Sequence, residues 1–352
     1  MNLDDLERFH TLDAGGMMDQ IDGLPDQLQS AWDLGQRLPL PEWKGVQRVV
    51  VAGMGGSAIG ADLLRAYVEP LVPVPLGVWR GYDLPAWGIG PETLLVTSSH
   101  SGNTEETLSA FDLGLKRGVR LLAVTRGGEL ASRAENAGVP VWRFEHEGQP
   151  RAAVGFSFGL LLAVLGKLEL LPDPSKELLG AVGAMKTQQQ ALKAESPVSA
   201  NLAKRVAGQL MDRWPMIIGG GLLAPVARRW RTQISEVSKA LAQFEELPEA
   251  DHNMVAGVIN PEALIQRAMV MFLNASTEHP RLQLRVQATR NVMMVEGFNT
   301  DVVEAQGDTR LAQQWTSLLL GDYAAFYLAM AYGVDPTPVA AIESLKAKLK
   351  EG

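Results

Sequence analysis

The run Val46-Gln-Arg-Val-Val-Val-Ala52, followed at once by Gly53-Met-Gly-Gly-Ser-Ala-Ile-Gly60, decides the fold. A short run rich in β-branched residues and bounded by glycine reads as a buried strand, and the spacing from Asp62 to Val68 then reads as a helix. Strand, glycine turn and helix recur downstream. Val74 to Val78, Leu94 to Ser98, Leu121 to Thr125 and Val139 to Phe144 are predicted strands, with helices predicted at 104–117 and 129–137 between them. Strands alternating with helices at this spacing predict a parallel sheet covered on both faces. The apolar stretch from Phe156 to Leu170 is predicted to close that domain as a buried helix.

Residues 1–45 carry helical periodicity through Met17, Ile21, Leu28, Trp32 and Leu38, broken by glycine and proline, and are expected to form a helical lead-in. Long helices dominate from about 176 to 212. Trp214-Pro-Met-Ile-Ile218 and Gly219-Gly-Gly221 then open a second strand-turn-helix unit, with further strands expected at Ala268 to Leu273 and Val292 to Val295. Leu311 to Tyr332 and Ile342 to Leu349 read as helices. The expected division is therefore a lead-in over 1–45, one α/β domain over 46–175 and another over 176–352 with C-terminal helices.

The chain has 352 residues, 46% of them hydrophobic and 20% charged, with a formal net charge of −8. Basic residues are interspersed with acids, so no footprint for nucleic acid appears. The absence of cysteine excludes disulfides, thiolate metal sites and a Cys nucleophile, and five scattered histidines show no metal-binding spacing, so no metal is expected. The N-terminal stretch is acidic where a signal peptide would be basic, and the apolar stretch from Ala152 to Gly166 is too short to span a bilayer, so a cytoplasmic protein with no membrane partner is expected.

Glycines bring backbone close to a ligand, and the helix that follows favours an anion at its N-terminus. Gly55 and Gly56 are the candidate backbone contacts. The loop is not a P-loop, because no Gly-Lys-Ser/Thr follows, and no acidic residue is placed to hold a ribose. The second loop, Ser98-Ser-His-Ser-Gly-Asn-Thr-Glu-Glu-Thr107, follows a strand and opens a helix. Its hydroxyls at Ser99, Ser101 and Thr104 can bind a phosphate dianion without a cation. Helix capping by Ser101 is expected to account for one of them.

Further on, Pro150-Arg-Ala-Ala153 places Arg151 at the start of an uncharged helix, either as a solvated flank or as a charge aimed into a cleft. In the helix after Gly219-Gly-Gly221, the pattern puts Ile234, Val237 and Leu241 on one face and Arg229, Gln233 and Glu236 on another. Taken alone, Glu236 reads as a solvated carboxylate and His252 as a turn residue.

These motifs in their order resemble the SIS (sugar isomerase) signature, in the form seen in bifunctional phosphoglucose/phosphomannose isomerases. The resemblance covers about residues 46 to 349. It implies two SIS-type α/β domains, each a parallel sheet flanked by helices, and an aldose–ketose isomerase acting on hexose 6-phosphates. It also implies that the phosphate is held by hydroxyls at Ser57, Ser99, Ser101 and Thr104, that Arg151 stabilises an enediolate, and that Glu236 is the catalytic base. His252 and Lys346 are implied to assist ring opening, with Lys348 and Lys350 as neighbouring alternatives to Lys346. The resemblance further implies a homodimer in which His252 reaches the neighbouring subunit's site, and no cofactor. His100 departs from the family's usual tyrosine, with its side chain expected to point away from the phosphate.

Gly219-Gly-Gly-Leu-Leu-Ala224 lacks hydroxyls, so only the first domain is expected to bind phosphate. Thr337 is the nearest threonine to Lys346, where the family uses a small residue to admit mannose substrates. The rival readings are a non-catalytic sugar-phosphate-binding regulator and an isomerase of glucose 6-phosphate alone. An amidotransferase would need a cysteine that the chain lacks.

Overall fold

Apolar strands hydrogen-bonded in parallel must hide both faces of their sheet, and the chain does this twice. The computed structural model describes residues 2–349. The chain separates into two units, one of Gly23–Lys186 with Gln306–Trp315, the other of Met1–Asp22, Thr187–Ala305 and Thr316–Gly352.

The first unit holds β1 (Arg48–Ala52), β2 (Leu76–Trp79), β3 (Thr93–Ser99), β4 (Arg120–Thr125) and β5 (Val141–Arg143) in the spatial order β2-β1-β3-β4-β5, all parallel. Every residue of β3 is buried. On one face Val50, Leu95, Leu121 and Ala123 pack with Phe111 and Leu130 from the helices Glu105–Lys116 and Gly128–Asn136. Other helices of the unit, Leu24–Arg37, Gly55–Val68 and Val154–Lys167, are knitted together through glycines. A Cβ on Gly35 would lie 2.4 Å from that of Ala163, and one on Gly60 would lie 2.5 Å from that of Ser157. The buried closing helix is thus present, and a lead-in helix packs on it.

The second unit holds β6 (Trp214–Gly220), β7 (Gln243–Leu247), β8 (Ala268–Asn274) and β9 (Asn299–Glu304) in the order β7-β6-β8-β9, again all parallel. Ile218, Leu247, Val270 and Phe272 form its core with Val286 and Met293 of the helix Pro280–Val295. That helix overturns the strand expected at Val292 to Val295. The apolar run is the last turn of the helix, and only Met293 faces the core, while Val295 is 83% exposed. The fold is α/β, with two parallel sheets flanked by helices.

Candidate active site

At the carboxyl end of β1, register places Gly53 abreast of Ser98, since Ala52 is paired with Thr97. A Cβ on Gly53 would stand 2.8 Å from the Ser98 carbonyl oxygen and 3.3 Å from the Cβ of Ser57, so the glycine loop and the Ser/Thr loop are in direct contact. Gly55 has φ +51° at the first position of its helix, a conformation that glycine adopts without strain. At Gly56 a Cβ would lie 2.5 Å from the Pro150 carbonyl oxygen and 3.4 Å from the Arg151 Cα. Three separate segments therefore converge on the start of the helix Gly55–Val68, where Ser57 is buried.

The Ser/Thr loop corrects the capping assignment. The N-cap of Glu105–Lys116 is Thr104, and its side chain makes no capping bond. Gly102, at φ +72°, turns the chain beyond Ser101, so Ser101 Oγ instead accepts from the Asn103 amide at 3.2 Å. Ser99 Oγ accepts from the Gly102 amide at 3.1 Å and lies 3.0 Å from Thr104 Oγ1. None of the three hydroxyls closes the helix, and its first turn is left open to an anion.

Asn103 was not singled out by its sequence, yet its Oδ1 accepts from the Glu129 amide at 3.0 Å in the first turn of the neighbouring helix Gly128–Asn136. The Gly102 carbonyl accepts from the Leu130 amide at 2.8 Å. The loop is thereby braced from behind.

Arg151 lies in the short turn Pro150–Ala152 and is 4% exposed, which rules out the solvated-flank reading. Gln27 steadies the turn, donating from Nε2 to the Ala152 carbonyl at 3.0 Å and accepting from the Gly155 amide at 2.8 Å. His100 is turned toward His146, with Nε2 and Nδ1 3.1 Å apart. Ser57, Ser99, Ser101 and Thr104 thus gather with Gly55, Gly56 and Arg151 in one unit.

Glu236, His252 and Lys346 belong to the other unit. Glu236 is the half-buried last residue of the helix Ala224–Glu236. Lys239, at φ +57°, turns back so that its Nζ donates to the Glu236 carbonyl at 2.6 Å and to the Pro336 carbonyl at 3.1 Å. Upstream, Arg229 and Gln233 are buried, so the polar face of this helix is covered as well as the apolar one. Leu241, expected on the apolar face, falls beyond the helix end and is 87% exposed.

His252 ends the turn Glu249–His252 and is exposed. The preceding Asp251 is held by Arg285 Nη1 and Thr289 Oγ1, each at 2.6 Å. Lys346 and Lys348 are both exposed on the helix Ala340–Leu349, and Lys350 lies outside the described residues. Thr337 is half-buried, and its Oγ1 would stand 2.4 Å from a Cβ on Gly15.

The second glycine turn has its own carboxylate. Gly221 has φ +50°, and the Leu222 amide donates to Glu278 Oε1 at 2.7 Å. A Cβ on Gly221 would meet Glu278 Oε2 at 2.6 Å. The anion position at this turn is thus taken by the chain itself. Glu278 lies too far along the sequence for any local pattern to have disclosed it.

The model of the bacterial phospho-glucose isomerase C-terminal SIS domain matches residues 199–349. A bifunctional phosphoglucose/phosphomannose isomerase of Caldicellulosiruptor bescii is 37% identical over 339 residues, covering 95% of this chain and 99% of that one. One of Aquifex aeolicus is 32% identical, covering 88% and 95%. Among solved structures, a hypothetical protein of Thermus thermophilus superposes with a TM-score of 0.76 at 18% identity, covering 98% of this chain and 93% of that one, a likeness of fold alone.

Proposed function

The chain belongs to the bifunctional phosphoglucose/phosphomannose isomerase family, and on that footing we propose that it interconverts fructose 6-phosphate with glucose 6-phosphate and mannose 6-phosphate. The observation that carries this reading is the set of hydroxyls at the carboxyl ends of β1 and β3, freed from capping beside an open helix N-terminus. Neutral donors and helix amides suit a phosphate monoester.

Moving a proton between C1 and C2 through a cis-enediol needs a carboxylate to carry it, a cation to balance the enediolate, and groups that open the sugar ring. Glu236 carries the proton and Arg151 balances the charge. His252 and Lys346 serve ring opening, while Ser57, Ser99, Ser101 and Thr104 hold the phosphate, with backbone approach at Gly55 and Gly56. The chemistry moves only protons and asks for no cofactor. A homodimer in the cytoplasm completes the reading. His252 is exposed in its own unit, as a residue offered to a neighbouring subunit must be.

The test is a coupled assay of fructose 6-phosphate formation from each aldose. Values of kcat/KM within tenfold of each other are expected. A ratio above about a thousand, equivalent to roughly 4 kcal/mol in the barrier, would leave only a glucose 6-phosphate isomerase. No turnover of either would leave a binding protein. Glu236→Gln is expected to abolish turnover while inorganic phosphate still binds.

A further inference from the structure

His100 sits between two of the phosphate-loop hydroxyls, Ser99 and Ser101, and is 8% exposed. Its ring meets that of His146 edge-on, with centroids 5.3 Å apart at 83°, and the facing nitrogens are 3.1 Å apart. Aromatic rings surround the pair. Phe144 packs edge-on against His100 at 5.9 Å, Phe156 packs against His146 at 6.1 Å, and the two phenylalanines stack on each other at 4.9 Å.

In such a cage both imidazoles are held neutral, because burial penalises the charged form, and Arg126 opposes a second positive charge. Two neutral imidazoles can share a single N–H between facing nitrogens, one donating and the other accepting. The bond joins two segments far apart in sequence. His100 belongs to the loop that leaves β3, and His146 to the segment that runs from β5 into the Arg151 turn. Two backbone approaches already hold neighbouring edges of this triangle, Gly53 against Ser98 and Gly56 against Pro150. The third edge, from the Ser/Thr loop to the Arg151 segment, carries the histidine pair.

We propose that the His100–His146 pair is a positioning strut that sets the separation between the phosphate-binding hydroxyls and Arg151. The inference rests on the isomerase reading above. A hexose phosphate gripped at C6 must present C1 and C2 to the arginine at the far end of the same molecule. A small slip between anchor and cation therefore misplaces the reacting carbons while leaving the anchor intact.

The experiment compares His146→Phe and His100→Phe with His146→Asn and His100→Gln, whose amides occupy the positions of Nδ1 and Nε2. The readouts are kcat on fructose 6-phosphate and inhibition by inorganic phosphate. The Phe variants are expected to lose at least tenfold in kcat with phosphate inhibition within twofold of wild type, and the amide variants to recover to within threefold. If His146→Phe does not fold, His146→Gln gives the same comparison. Variants as active as an active wild type overturn the strut alone, and so does phosphate affinity falling in step with kcat. A wild type that turns over neither hexose 6-phosphate overturns the isomerase reading and the strut with it.

Discussion

Asp322 receives two hydrogen bonds from Arg229, from Nε at 3.0 Å and from Nη2 at 2.6 Å, with both side chains almost wholly buried. The pair ties the helix Ala224–Glu236, which ends in the proposed catalytic base, to the helix Arg310–Tyr332. Breaking one side of a buried ion pair strands the other charge, at a cost of about 3–5 kcal/mol, whereas replacing both sides with apolar groups costs far less. Asp322→Asn should therefore lower unfolding free energy by that amount in urea titrations, and Arg229→Met with Asp322→Leu should recover most of it. A loss below about 1 kcal/mol in Asp322→Asn would show that the pair does not brace the helix.

Ser101→Ala with Thr104→Ala should raise KM for either aldose at least a hundredfold, because a hydrogen bond to a charged group contributes roughly 1.5–3 kcal/mol and two are removed. The value of kcat at saturation should fall much less. An unchanged KM would remove the phosphate from this loop.

Equilibrium dialysis with inorganic phosphate should give one site per chain. The Glu278 carboxylate already takes the Leu222 amide at the second glycine turn, and a dianion brought beside it would be repelled. Two sites per chain would contradict this.

Much of the fold was legible because buried parallel strands are continuous apolar runs, as in Val49 to Ala52, and because glycine turns mark their carboxyl ends. The edge strands β7 (Gln-Phe-Glu-Glu-Leu) and β9 (Asn-Thr-Asp-Val-Val-Glu) lack such runs and were not anticipated. Val292 to Val295 misled in the opposite sense, since an apolar helix end has the same composition as a short strand. Ser99 and Thr104 stand out as candidates in the sequence because hydroxyls in a strand-to-helix loop form a local pattern. The contacts around the Ser/Thr loop and the second glycine turn were not legible, because Asn103 with Glu129, His100 with His146 and Glu278 with Leu222 pair residues that only the folded chain brings together.

Acid should weaken the protein partly through the histidine pair. Burial, with the neighbouring His146 and Arg126, pushes the His100 imidazole down from its ordinary 6.5 to about 4. The unfolded chain takes up a proton on this ring as pH falls through about 6.5, while the folded chain refuses it until about 4. Over that window the unfolded state binds more protons, so stability rises with pH and is lost on acidification. Between pH 7 and pH 5 the loss from this one ring comes to about 2 kcal/mol. Replacing the ring by Phe leaves an apolar group in the same aromatic cage and removes that proton uptake. His100→Phe should therefore lose about 2 kcal/mol less than wild type between pH 7 and pH 5 when both are unfolded in urea, the carboxylates contributing equally to each. The same pH 7-to-5 loss in the variant and the wild type would mean that His100 is not held neutral by its surroundings.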